Sequence, residues 1–177
     1  MIINFVFTIS LGGYCMLIKF KRIDDLRTDN DLKIREIADI LGISVDNYFD
    51  YANGRSNFPL DKLNKLVNYF KVSFDYITGL SEVKSYSDKD INLKLLKQRI
   101  KEVRINNHLS QEEAAHIIGD RQSTYWNYEG GNSIIPISKL YLLAKYYNIS
   151  IDYFVGKTDN MNIKKGEKLI TNPPFKF

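Results

Sequence analysis

Leu109-Ser110-Gln111-Glu112-Glu113-Ala114-Ala115-His116-Ile117-Ile118-Gly119-Asp120-Arg121-Gln122-Ser123-Thr124-Tyr125-Trp126-Asn127-Tyr128-Glu129-Gly130-Gly131 carries the punctuation of two short helices. Ser110 is an N-cap residue type, and Glu113 follows three positions on. At that spacing each side chain can take the other residue's backbone N–H. The helix opening at Gln111 buries Ala114, Ala115 and Ile118 and stops at Gly119, which suits a left-handed C-cap. A second helix is expected over about Gln122 to Glu129, closed by the pair Gly130-Gly131. Small Ala115 and the short break around Gly119 let the two helices cross closely at a steep angle, the geometry of a helix-turn-helix.

Working outward, Leu95, Leu96, Arg99, Ile100 and Val103 mark an amphipathic helix upstream, with its basic face outward. Downstream, Pro136 opens a helix carrying Leu140, Leu143, Ala144 and Tyr147. Ser150 caps a last short helix containing Asp152 and Phe154. No run alternates with period two outside the N-terminal tail, so strands are not expected.

The same signals recur at a constant offset of 77 residues. Arg22 pairs with Arg99, Arg27 with Arg104, Glu36 with Glu113, Ala38 with Ala115 and Gly42 with Gly119. Tyr48 and Tyr125, Gly54 and Gly131, Pro59 and Pro136, Leu63 and Leu140, and Asp75 and Asp152 continue the register without a gap. Chance does not hold a register that long, and internal repeats of this kind decide an architecture. The expected fold is all-α, two tandem five-helix helix-turn-helix domains. Residues 1–18 form an uncharged extension, 19–80 the first domain, 81–91 a linker, 92–157 the second domain and 158–177 a basic tail.

Composition excludes several classes. Of 177 residues 44% are hydrophobic and 26% charged, ordinary for a globular protein. A lone cysteine, Cys15, cannot form an intramolecular disulfide or a cysteine metal cluster, and two histidines exclude a His-rich site. No metal or other cofactor is expected. His108 reads as a turn residue and His116 as a solvent-facing one. There is no phosphate-binding glycine loop and no nucleophile beside a base, so enzymatic activity is not expected. Asn172-Pro173-Pro174-Phe175 resembles the catalytic tetrapeptide of adenine amino-methyltransferases, but with no parallel sheet beside it the likeness is a coincidence. The tail reads as a flexible arm whose Lys164, Lys165 and Lys168 could reach phosphates.

The second domain resembles the lambda-repressor-like (Cro or xenobiotic-response-element) helix-turn-helix family. Arg99-Ile100-Lys101-Glu102, Leu109 to Glu113, Gln122-Ser123-Thr124, Tyr128-Glu129, Gly131 and Pro136 carry the likeness, and Leu140, Ala144, Ser150, Asp152 and Gly156 continue it. The resemblance implies a third helix in the DNA major groove, with Gln122, Ser123 and Asn127 reading bases and Thr124 capping or meeting a thymine methyl. Gln111, Arg121, Lys101 and Arg104 are the implied phosphate contacts, Gln111 helped by its helix N-terminus. Trp126 stands where this helix usually carries a polar residue. It could meet sugar and thymine methyls, pack on another subunit, or complete the core.

The first domain keeps the scaffold signals and loses the reading ones. Ile34 replaces the phosphate-contacting Gln, and Ala52 replaces the Glu that closes the reading helix. Its reading helix, Val45-Asp46-Asn47-Tyr48-Phe49-Asp50, holds two acids and no base, and acids near phosphates are repelled. Asn47, Arg55 and Asn57 remain as candidate DNA contacts. Residues 19–80 carry ten Lys/Arg against ten Asp/Glu, residues 89–157 ten against seven. The total of +4 thus conceals a neutral first copy and a positive second one. We expect a cytoplasmic regulator, a repressor of a phage, mobile-element or local promoter, that binds double-stranded DNA as a homodimer. A first domain devoted to association would make Phe49, Asp46, Asp50 and Trp126 an interaction surface for a protein partner. Two other readings stay open: an inhibitor or antirepressor on this scaffold, and a chain whose two domains cover two half-sites.

Met1 to Ile18 contains no charge, and the first cation, Lys19, follows the apolar run, which does not fit a secretory signal. The run is too short and too diluted by Asn4, Thr8, Ser10, Gly12 and Gly13 for a membrane helix. The regular pattern begins directly after Met16, so Met16 is the expected working start; an arm packing on a partner is the alternative. Mass analysis of the N-terminus of protein expressed from its native gene is expected to find a chain beginning at Met16, and a chain beginning at Met1 would favour the arm.

Overall fold

The chain builds its last helix twice and joins the copies there. In the computed structural model, which describes residues 20–166, the first module comprises α1 (Lys21–Asp29), α2 (Ile34–Leu41), α3 (Val45–Ala52), α4 (Leu60–Phe70) and α5 (Phe74–Thr78). The second comprises α6 (Leu93–Asn106), α7 (Gln111–Ile117), α8 (Gln122–Gly130), α9 (Ile137–Tyr147) and α10 (Ile151–Phe154). Among the described residues there is no strand beyond one isolated antiparallel bridge, Ile149 with Asn162. The all-α, two-times-five-helix expectation stands. The uncharged extension, Lys168 and Asn172 to Phe175 lie outside the described residues.

The caps explain why each helix begins where it does. Ser110 accepts from Glu113 N while Glu113 accepts from Ser110 N at 2.7 Å, a full capping box. In the first copy Glu36 still accepts from Lys33 N at 2.7 Å, but lysine has no oxygen to return the bond. Ser44, Ser73, Asn92 and Ser150 cap α3, α5, α6 and α10 with side-chain oxygens. Gly42 and Gly119 both sit at φ +67°, where an added Cβ would be strained, and there the chain turns from the second helix of each module to the third. Asp31 and His108, and Lys71 and Asn148, are likewise left-handed in pairs, so the backbone repeats as closely as the sequence.

The buried apolar side chains form one cluster to which both modules contribute. Ile37, Leu41, Leu63, Leu66 and Phe74 are fully buried in the first, as are Ala114, Tyr125, Ile137, Leu140 and Phe154 in the second. An arginine, half-buried in the first module and buried in the second, ties the first helix to the end of each module. Arg22 donates to the carbonyls of Tyr76 and Ser81 and to Glu82 at 2.6 Å. Arg99 donates to the carbonyls of Tyr153 and Thr158 and to Asp159 at 2.6 Å, each partner 77 positions further on. Arg99 therefore belongs to the interior rather than to an outward basic face. The tail also departs from expectation. Far from a free arm, its first part is held by Arg99, by Ser150 N donating to the Met161 carbonyl, and by Ser81 Oγ donating to the Lys164 carbonyl.

The modules meet through α5 and α10 in a reciprocal exchange. Asp152 accepts from Phe74 N at 3.1 Å and Asp75 N at 3.0 Å, while Asp75 accepts from Ile151 N at 2.7 Å. Each carboxylate caps the other module's helix. A second contact joins the loop behind α3 to the first turn of α9, where Ser138 Oγ donates to Asn57 Oδ1 at 2.6 Å. Phe20 meets Tyr141 edge-on across the same junction. Beside the carboxylates the Lys157 ammonium is buried, donating to the carbonyls of Lys89 and Ser87 and to Asn68 Oδ1.

Burial first, and then the neighbouring Asp152, raises the Asp75 carboxyl from its ordinary 3.8 to about 6, and burial raises Asp152 as well. A carboxyl raised on folding favours the folded state fully below its unfolded pKa and loses that contribution as pH rises through its folded value. Urea unfolding from pH 4 to 7 should show the wild type losing on the order of 3 kcal/mol relative to Asp75→Asn, whose amide oxygen still accepts but cannot ionise. Parallel pH curves for the two proteins would place that ionisation penalty elsewhere.

Candidate nucleic-acid interface

The two helices α7 and α8 are joined by a chain of hydrogen bonds that runs from the interior to the surface. Glu129, its side chain 3% exposed, pairs with the Arg104 guanidinium at 2.6 Å and 3.0 Å. The same carboxylate accepts from Gln111 Nε2 at 2.9 Å, and Gln111 Oε1 accepts from Gln122 Nε2 at 3.3 Å. An ion pair on the inside thus orients two amides on the outside. The hydrogen bond to Glu129 raises the Arg104 guanidinium above its ordinary pKa.

Arg104 also donates to the Leu109 carbonyl at 2.8 Å, which fixes the loop ahead of Gln111. Lys139, 4% exposed, does the same for the turn between the helices. Its ammonium donates to the Ile118 carbonyl at 2.6 Å and meets Asp120 at 3.1 Å. Lys62, its equivalent in the repeat, donates to the Leu41 carbonyl. Neither lysine was singled out in the sequence reading, although both stand in register as apparent surface charges.

The candidate reading residues occupy one helix. Gln122 and Ser123 are exposed, Thr124 and Asn127 half-buried, and Tyr125 and Tyr128 face the core. Asn127 Oδ1 accepts from Asn132 Nδ2 at 3.3 Å. Arg121 occupies the N-cap of α8 without capping it and is exposed, as is Lys101 on α6. Arg104 is placed differently from the implied phosphate contact: its guanidinium is committed to Glu129 and Leu109. Trp126 is 52% exposed, which removes the core-packing alternative. Its repeat equivalent Phe49 is 39% exposed on α3.

In the first module this network is absent and its ends are reassigned. With Ala52 and Ile34 in place of Glu129 and Gln111, Arg27 keeps its bond to the Leu32 carbonyl at 2.8 Å and turns to Asp24 at 2.8 Å. Lys101 is the residue equivalent to Asp24, so the acid has moved from the third helix to the first. Asp46 and Asn47 are exposed on α3, and Asp50 lies 3.9 Å from Arg55.

Residues 23–77 match the family described as "Helix-turn-helix", and residues 98–160 match that described as "Helix-turn-helix domain". The chain belongs to the lambda-repressor-like helix-turn-helix proteins and carries the domain twice. Among curated proteins of Bacillus subtilis (strain 168) it is similar to the uncharacterized HTH-type transcriptional regulator YobD, 37% identical over 71 residues. That match covers 40% of this chain and 63% of YobD, just under two thirds of that relative's length. It is also similar to the HTH-type transcriptional regulator ImmR, 28% identical over 105 residues, covering 55% of this chain and 83% of ImmR. No solved structure gives a significant match. Among the described residues no helix is long and apolar enough to cross a membrane, and no group of three or more His, Cys, Asp or Glu could hold a metal ion.

Removing one partner of a buried ion pair strands the other, at a cost of about 3–5 kcal/mol. Glu129→Ala should therefore lower the free energy of unfolding in urea by about that amount. Arg27→Ala, which breaks a pair with the largely exposed Asp24, should cost less. Equal losses would mean that Glu129 contributes nothing beyond a surface contact.

Proposed function

We propose that the chain is a sequence-specific DNA-binding transcriptional regulator in the cytoplasm, acting as a repressor of a phage, mobile-element or other local promoter. The observation that carries this reading is the Gln111–Gln122 amide pair, held at the exposed edge of α7 and α8 by the buried Glu129–Arg104 pair. A side-chain amide can donate to and accept from adenine N6 and N7 together, which a preoriented Gln at the start of α8 is suited to do. Ser123, Thr124 and Asn127 complete the reading surface. Gln111, Arg121 and Lys101 supply the flanking phosphate contacts, with the N-terminus of α7 adding its partial positive charge.

Exposed Phe49 and Trp126 favour a second reading, a protein-binding inhibitor or antirepressor, because large aromatics at equivalent exposed sites suit a protein interface. The two readings separate on the DNA upstream of the native gene. For the repressor, the full chain retains that DNA with steep salt dependence, and Gln122→Ala weakens binding by about 1–3 kcal/mol while relaxing one base position. Unchanged affinity of Gln122→Ala on the same DNA would remove α8 as the reading helix. No retention by the full chain would favour the protein-binding reading.

A further inference from the structure

We infer that a single chain, rather than a pair of chains, is the DNA-binding unit, and that its DNA site has two unequal halves in adjacent major grooves. This rests on the DNA-binding reading above and extends it to the form of the ligand.

The contact between modules has two-fold character. Adding 77 to Phe74 and Asp75 gives Ile151 and Asp152, so exchanging the modules turns the bond Phe74 N to Asp152 into the bond Ile151 N to Asp75. Beside the second contact the symmetry recurs in the apolar lining, where Phe58 and Pro59 share a small cavity with their equivalents Ile135 and Pro136, while the Asn57–Ser138 bond has no mate. A pseudo-dyad therefore passes between α5 and α10 and between the loops behind α3 and α8. Rotation about a two-fold axis leaves height along that axis unchanged. The helices α3 and α8 lie at one level on either side of it, and whatever part of each outward face points along the axis points the same way in both.

Chain length bounds their separation. Asn57 is five residues beyond the end of α3, and Ser138 is eight beyond the end of α8. At no more than about 3.6 Å per residue these loops span about 18 and 29 Å. With Asn57 and Ser138 in contact, the two helix ends lie within about 50 Å of each other. Successive major grooves on one face of B-DNA are about 34 Å apart, and two turns are about 68 Å. The arrangement admits neighbouring grooves.

The halves cannot be equivalent. The helix α8 offers neutral amides and two hydroxyls, whereas α3 offers Val45 and two aspartates that phosphates repel. On the first module the exposed Asn47 and the Arg55 side chain, 73% exposed, are left to meet DNA. That half positions the chain and specifies few bases. The homodimer expected from sequence is not required, because the partner module is already present.

The test uses the full chain and duplexes selected by it from a random library. Native mass spectrometry should find one chain per duplex, and footprinting should protect two grooves about ten base pairs apart. Base changes facing α8 should cost about tenfold or more, and those facing α3 several-fold less. Asn47→Ala and Arg55→Ala, both at exposed positions, should weaken binding several-fold with stoichiometry unchanged. Two chains on an inverted repeat, protection of a single groove, or no effect of either substitution would overturn the inference while leaving DNA binding intact. Selection that recovers no duplex would overturn DNA binding itself, and this inference with it.

Discussion

Everything in the arrangement of the two modules depends on an exchange of aspartates at the ends of two very short helices. A helix of five or four residues, the lengths of α5 and α10, is too short to persist alone, and its first N–H groups have no partner within it. Asp75 and Asp152 meet those groups from the opposite module, where a carboxylate also suits the positive end of a helix. The cost is two acidic groups side by side away from water, which is why both carboxyls titrate high. Neither module can satisfy its last helix in the same way without the other.

Around that shared joint the copies have diverged in a physically coherent manner. The second module keeps a buried charge pair whose remaining lone pairs are used to orient Gln111 and, through it, Gln122. Where the third helix ends in Ala52, the equivalent arginine has no interior acid. It stays in place because Asp24 stands one turn earlier on its own helix. The bond that holds the loop and the network that orients the surface amides are therefore separable in this scaffold. The bond from arginine to the loop carbonyl survives in both copies, while the branch leading to the surface exists in one.

Most of the fold was legible because it depends on local chemistry repeated in register. Capping serines, the glycines at +67° and the spacing of Leu140, Leu143 and Ala144 act over a few residues, so their reading needs no knowledge of what lies across the module. Long-range partners were not legible. Arg104 and Arg99 look like surface cations on an amphipathic helix, and only the third dimension places Glu129 or the Tyr153 carbonyl beside them. Trp126 was left open by the sequence, and only the fold shows that Tyr125 and Tyr128 already fill the inward positions of α8. The role of Asp75 and Asp152 was hidden for the same reason. Their recurrence was visible, but not that each serves the other copy.

The segment from Ser81 to Ile91 joins the modules covalently while also packing on them: Tyr86 lies under the Lys71 ammonium at 4.7 Å, and Ser87 donates to the Lys157 carbonyl. Pairing across the joint is consequently an intramolecular equilibrium, set by an effective local concentration instead of by the number of chains in a cell. Dilution separates two subunits but not two halves of one chain. A tethered pair is also released from the demand that both faces change together, since a substitution in one copy is not duplicated in the other. The acid-bearing α3 beside the amide-rich α8 is the kind of asymmetry that such a tether permits.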